Sequence, residues 1–230
     1  MESIDDLRGH QNEFATLLTE KSFGGLVICG TNWGAGGGAS GDTSESGHAP
    51  GLFWNRPYSY PYQRELKAWL EFWGYDLAQR PPPKLDHAIS QTNFFLDSTK
   101  TFRQRDSFDW GSAIERLSGA LGALRPSGVI FCSINAMGRA FSEAERQSIE
   151  SWNNLMGQPQ RWETHSLGSS FSLQFVRDTG SNISVVGMKH PSGRGTIHEE
   201  VKKAADVMKP WLDLVMRKYE TKQSEIRHRL

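Results

Sequence analysis

Short, strongly apolar runs separated by amphipathic segments are the feature that most limits what this chain can fold into. The runs GLVICG at 25–30 and SGVIFCSI at 127–134 are too short for buried helices and begin at small residues. Such runs are typical of strands that are buried on both faces. HAISQTNFFLD, SSFSLQFVRD and NISVVGMKHPS also have strand character. Because helical segments alternate with these runs, the sequence predicts an α/β fold with a mostly parallel sheet.

The segments between the strands carry helical periodicity. QRELKAWLEFWG, at 63–74, places its leucines and tryptophans along one helical face. Ser142 followed by Glu145 forms a capping box, which predicts the start of another helix. The remaining helices are predicted over 1–20, 108–124 and 196–219, the last interrupted at Pro210, with a frayed tail at 220–230.

Composition bounds the class of protein. The 230 residues are enough for one domain with a sizeable core, and we find no composition break that would divide them. Because 26 basic residues balance 26 acidic ones, binding to nucleic acid would need a local basic patch. Cys29 and Cys132 lie inside apolar runs, which favours core residues in a reducing compartment. With no leader and no run long enough to span a bilayer, we expect a cytoplasmic protein that does not bind membranes.

Polar motifs follow the predicted strands where each strand ends. GTNWG follows the first strand, TNFF lies at the end of the second, INAMGRAF follows the third and HPSGRG follows the last. In an open parallel sheet, ligands bind beyond the carboxyl ends of the strands. We therefore expect these four motifs to meet at one edge of the sheet.

The order of these four motifs resembles the uracil-DNA glycosylase superfamily. The resemblance covers about residues 25–194 and is greatest to the mismatch-specific and single-strand-selective branches, which have an asparagine in the first motif. It implies a three-layer α/β sandwich with a central, mostly parallel four-stranded sheet. It also implies an enzyme that flips a base out of DNA and hydrolyses its N-glycosidic bond.

The resemblance implies a role for each motif. Asn32 would hold the attacking water, and His190 would donate a hydrogen bond to the departing base, so these two are the candidate catalytic residues. An asparagine cannot act as a general base at neutral pH, so this site would position water rather than deprotonate it. The candidate substrate-binding residues are Gly30, Thr31, Trp33, Phe53, Trp54 and Asn93, and the candidate DNA-binding residues are Lys189, Ser192, Gly193 and Arg194.

Departures from the family pattern affect the expected substrate. Trp33 and Gly193 stand where the family often has proline, and the segment 35–49 is longer and richer in glycine. A reshaped loop could admit a larger base, such as a hypermodified pyrimidine of phage DNA, and the enzyme would then act in defence. A catalytically inactive DNA-binding member of the same fold is the other alternative. Taken singly, His190 could cap the sheet, the asparagines could be turn residues and the aromatic residues could belong to the core.

Other chemistries lack their sequence signatures. Gly36, Gly38 and Gly41 match a dinucleotide-binding fingerprint, but no helix is predicted directly after them. No Walker lysine follows the glycines, and the seven histidines do not have metal-ligand spacing. We therefore expect that the protein needs no metal, nucleotide or other cofactor. The resemblance implies DNA as its partner, and we expect a monomer.

Overall fold

The computed structural model of the protein describes residues 4–14, 16, 18–34, 61–75, 88–99, 109–191 and 197–227. Strands and helices alternate through much of this part of the chain. The strands are β1 (Leu26–Gly34), β2 (Ile89–Thr99), β3 (Gly128–Phe131), β4 (Arg161–Ser166), β5 (Ser172–Arg177) and β6 (Ser184–Met188). The helices are α1 (Ile4–Gly9), α2 (Pro61–Phe72), α3 (Trp110–Leu124), α4 (Ile134–Arg146), α5 (Glu150–Met156), α6 (His198–Lys203) and α7 (Ala205–Arg227).

The strands form one mixed sheet of six strands in the order β2-β1-β3-β6-β5-β4. β2, β1, β3 and β6 are mutually parallel. β5 pairs with β6 in the antiparallel sense, and β4 pairs with β5 in the same way. The predicted α/β class with flanking helices is confirmed, but the predicted four-stranded sheet is wrong. Four strands are parallel as expected, and two more extend the sheet. The sequence did not reveal β4 because RWETHS is a polar strand at the sheet's outer edge.

Both faces of the sheet are covered by helices, and each face has its own apolar cluster. Helices α1, α3, α4 and α5 pack on one face, around side chains such as Val27, Phe94 and Phe131. Helices α2, α6 and α7 pack on the other face, around Ile28 and Ile130. Residues 26–29 of β1 alternate between the two clusters, as is typical of a pleated strand that is buried on both sides.

The two cysteines are core residues, as predicted. Cys29 lies in the cluster of the α3 face and Cys132 in the cluster of the α2 face. Both are buried and neither forms a disulfide. Burial raises the pKa of the Cys29 thiol well above its usual value, so this thiol is protonated and acts as a small apolar side chain.

The predicted start of a helix at Ser142 is wrong. Helix α4 begins earlier, where the side chain of Ser133 accepts a hydrogen bond from the amide of Ala136. Ser142 therefore lies on an exposed turn within α4. The capping-box pattern was misleading because the same serine and glutamate also fit the solvent face of a helix that has already begun.

The N-terminal region is less helical than predicted. Among its described residues, only Ile4–Gly9 is α-helical, and a 3-10 turn at Gln11–Glu13 follows. The apolar residues Leu7, Phe14 and Leu18 are nevertheless buried. Phe14 also forms an antiparallel bridge with Thr92 of β2, so this region covers the outer edge of the sheet instead of forming one continuous helix.

The C-terminal region is more helical than predicted. The break in the long helix falls at Ala204, and α7 passes through Pro210. The predicted frayed tail is helical as far as Arg227, because Gln223 donates to the carbonyls of Glu20 and Phe23. Among the described helices, none is both long and apolar enough to cross a membrane.

Candidate functional site

The candidate site lies at the carboxyl edge of the four parallel strands. Gly30 of β1 is in register with Asn93 of β2, and Asn32 is in register with Phe95. On the other side of β3, Lys189 and His190 directly follow β6. Cys29 of β1 and Gly187 of β6 are both in register with Phe131 of β3, and because neighbouring strands are about 4.8 Å apart, β1 and β6 are roughly 10 Å apart at this level. The structure therefore brings the backbone of GTNWG, of TNFF and of the start of HPSGRG to one edge.

Strand β1 is longer than predicted. The predicted strand covered 25–30, and pairing with β2 extends it to Gly34. Thr31 is buried within the strand. Trp33 also belongs to β1, and its backbone therefore lies at the carboxyl edge.

The amide side chain of Asn93 is the best-defined polar group at this edge. Asn93 is only 3% exposed, and its Nδ2 has no hydrogen-bond partner among the described residues. Its Oδ1 lies over Gly30, where an added Cβ would come within 2.1 Å of that oxygen. A buried amide without a partner costs about 1–3 kcal/mol, so a group that accepts a hydrogen bond from Nδ2 would bind favourably here.

The imidazole of His190 is half-buried, and the buried Pro191 follows it. Burial lowers the pKa of His190 below its usual value, because desolvation disfavours the charged form. At neutral pH the side chain is therefore a neutral imidazole, with one N–H donor and one acceptor nitrogen.

The lowered pKa of His190 predicts a specific dependence of stability on pH. Unfolded histidine titrates near pH 6.5, so below that pH the unfolded state binds more protons than the folded state. The free energy of unfolding should therefore fall as the pH drops from about 6.5 through the folded-state pKa. In urea titrations between pH 7.5 and 4.5, His190→Gln should lose less stability than the wild type. Equal losses would contradict this assignment.

The N-terminus of α4 is the third element of the edge. β3 ends at Phe131, and α4 begins three residues later, at Ile134. The positive end of the helix dipole is thus placed between the ends of β1 and β6, where it favours an anion or a developing negative charge.

A hydrogen-bond cluster around the buried Glu200 lies beside the edge on the side of β5. Ser170 lies in the turn between β4 and β5, which pairing of Leu173 with Met188 puts beside the residues after β6. Its hydroxyl donates to the carboxylate of the buried Glu200 and accepts from the amide of Ile197 at 3.0 Å. Hydrogen bonds from the Ser170 hydroxyl and from nearby backbone amides lower the pKa of Glu200, so the carboxylate stays ionised.

Removing the Ser170 hydroxyl should release Ile197. One hydrogen bond contributes about 1 kcal/mol, so amide exchange at Ile197 should be roughly five times faster in Ser170→Ala. Ser169→Ala is the matched control, because the Ser169 hydroxyl bonds the same carboxylate, at 3.4 Å, but the described contacts of Ile197 do not include it. Hydrogen exchange followed by mass spectrometry would check this, and equal exchange in both variants would show that Ser170 does not hold Ile197.

Several predicted site residues lie outside the described part of the chain. Phe53 and Trp54, and the DNA-binding candidates Ser192, Gly193 and Arg194, are among them. Conversely, sequence reasoning missed Ser170 and Glu200. Since they are 30 residues apart and fit no motif, only the paired serines at the start of a predicted strand could have drawn attention to them.

Within the described residues, no group of three or more His, Cys, Asp or Glu side chains is arranged to hold a metal ion. Comparison with protein-family models finds no match for the chain, and comparison with curated proteins finds none either.

Proposed function

We propose that this protein is a monofunctional DNA glycosylase with a uracil-DNA glycosylase-like fold. It would hydrolyse the N-glycosidic bond of uracil or another modified pyrimidine and leave an abasic site. The observation that carries the proposal is the buried amide of Asn93, whose Nδ2 has no partner among the described residues and which lies at the same sheet edge as the half-buried His190. An amide and a neutral imidazole can both bind a nucleobase, because a nucleobase offers hydrogen-bond donors and acceptors.

The proposed reaction uses the side chains of Asn32 and His190 in different ways. Water held by Asn32 attacks C1′ of the sugar as the bond from C1′ to the base breaks. The bonding electrons leave with the base, and a proton from the water ends on it. His190 donates a hydrogen bond to the base oxygen as negative charge develops there, which is the kind of stabilisation that is worth several kcal/mol.

Base recognition would fall to Asn93. Its Nδ2 can donate to a base oxygen, and Oδ1, held over Gly30, can accept from a base N–H. A base flipped out of the DNA would thus accept the hydrogen bond that Nδ2 of Asn93 does not make to any described residue. Phe53 or Trp54 would supply the stacking face, as the sequence resemblance implies.

DNA binding would be local, since the chain as a whole has no net charge. Ser192 and Arg194 would contact phosphate and the gap left by the flipped base, and Lys189 and Gly193 would lie against the same DNA. The positive end of α4 would add to this local attraction.

The test is the formation of abasic sites in defined oligonucleotides. The purified protein is incubated in EDTA with single- and double-stranded DNA that carries uracil or another modified pyrimidine, and abasic sites are then cleaved with alkali. We expect cleavage at the modified position in EDTA. A requirement for added metal, or DNA binding without base release from any substrate, would contradict the proposal, and the latter would favour the non-catalytic alternative.

A further inference from the structure

Strand β2 is distorted directly after Asn93. A single nitrogen of Arg116, Nη2, donates to the carbonyl of Asn93 and to that of Phe94, both at 2.7 Å. In a regular strand, consecutive carbonyls point to opposite sides, so one donor cannot serve both. Phe94 and Phe95 also pack in the same apolar cluster, although successive side chains of a regular strand alternate between faces.

The pairing of β1 with β2 shifts just beyond these two residues. From Asn32 to Gly34, β1 advances two residues, whereas its partner positions on β2 advance from Phe95 to Thr99. Extra residues on one strand are the mark of a bulge, which bends the strand and redirects its side chains. The bulge therefore begins two residues after the amide that the proposed site uses to recognise a base.

Arg116 is itself fixed by other contacts. Its Nη1 donates to Oε2 of Glu13 at 2.8 Å, and Oε1 of Glu13 lies 2.7 Å from Nδ1 of His10. The guanidinium of α3 thus connects the N-terminal region to the carbonyls of β2. Lysine could not replace it fully, because a single ammonium lacks the planar fork that reaches Glu13 and both carbonyls together.

We infer that Arg116 is a positioning residue for the side-chain amide of Asn93. By holding both carbonyls at the bend, it keeps Oδ1 over Gly30 and leaves Nδ2 without a hydrogen-bond partner among the described residues. The effect on catalysis rests on the proposed glycosylase function, whereas the effect on the amide's position does not.

A control variant in β2 distinguishes the positioning role of Arg116 from a purely stabilising one. The hydroxyl of Thr92 donates to the carbonyl of Glu13 at 2.6 Å, so it also ties β2 to the N-terminal region. Thr92→Val removes that bond at nearly constant volume and leaves the two carbonyls bound to Arg116. Both variants should lower stability, but only loss of Arg116 should move the amide.

The catalytic test is a double-mutant cycle on the single-turnover rate of base release. Arg116→Met should slow release by about 10- to 100-fold, since small displacements of positioning groups have effects of this size. Arg116→Lys should recover part of the rate, and Thr92→Val should change it little. Arg116→Met combined with Asn93→Ala should be no slower than Asn93→Ala alone. The inference would be overturned if the rate losses of Arg116→Met and Asn93→Ala multiplied in the double variant. It would also be overturned if Thr92→Val slowed base release as much as Arg116→Met does.

A second readout does not depend on base release. The NMR signal of the Asn93 side-chain NH₂ group, identified by its loss in Asn93→Asp, should shift in Arg116→Met and stay in place in Thr92→Val. If the wild type releases no base but this signal behaves as expected, the glycosylase proposal fails while the positioning role stands. If base is released but the signal is the same in both variants, the positioning role fails.

Discussion

Replacing His190 with alanine should slow base release by about 100- to 1000-fold, the usual effect of removing one donor from a site that stabilises a developing anion. The imidazole is half-buried, and its burial keeps it neutral at pH 7, so it carries one N–H donor without a prior change of protonation. For the same reason, the rate of the wild type should be nearly constant between about pH 6.5 and 8. Single-turnover kinetics with saturating enzyme would measure both effects.

The control for this prediction separates catalysis from binding. His190→Ala should change DNA affinity much less than rate, because the donor acts mainly on charge that develops in the transition state. His190→Gln keeps an N–H donor of similar reach and should recover part of the rate. Equal losses of affinity and rate in His190→Ala would make His190 a structural residue of the sheet edge.

Gly30→Ala should also slow base release strongly. A Cβ at this position would lie 2.1 Å from Oδ1 of Asn93 and 3.3 Å from its Cγ, so the amide must move away from the place where it would bind a base. We expect a loss of at least about tenfold in the rate of base release, together with about 1–3 kcal/mol of stability from overpacking. Kinetics and urea unfolding of the same preparation would provide both values.

Gly122→Ala is the matched control for Gly30→Ala. Gly122 lies within α3, and a Cβ there would meet nothing within 4 Å. The substitution should therefore stabilise the protein by about 0.5–1 kcal/mol and leave base release unchanged, since alanine favours a helix interior over glycine. If Gly30→Ala released base as fast as Gly122→Ala, Asn93 could not be the group that recognises the base.

The parallel core of the fold could be predicted from the sequence because its strands are buried on both faces. GLVICG and SGVIFCSI contain almost only apolar residues, and the structure places them in β1 and β3 at the centre of the sheet. β4 could not be predicted in this way. RWETHS lies at the outer edge with one side open to water, so its composition resembles that of a loop.

The C-terminal part of α7 shows a different limit. ETKQSEIR is polar and resembles a frayed end, yet Lys222 donates to the carbonyls of Arg125 and Pro126. The pKa of Lys222 is lowered to about 8, mainly because the side chain is partly buried. The partners of Lys222 are about 100 residues away in sequence, and no local pattern records such contacts.

The candidate site was predictable in outline but not in detail. Polar residues after apolar strands indicated the carboxyl edge, because parallel strands end together there. The fit of Asn93 over Gly30 depends on the register between two strands, and the bonds from Arg116 depend on a distortion of β2 just before its bulge. Neither register nor bulge can be deduced from the composition of the strands alone.

The most direct test of the central claim is to count the products of one reaction. DNA with a single modified pyrimidine is incubated with the protein in EDTA, and the free base is measured by mass spectrometry beside the number of abasic sites. A monofunctional glycosylase should release one free base for each abasic site, without strand breaks before alkali, and His190→Ala should lower both products together. Strand breaks without free base, or no free base from any modified DNA, would contradict the account.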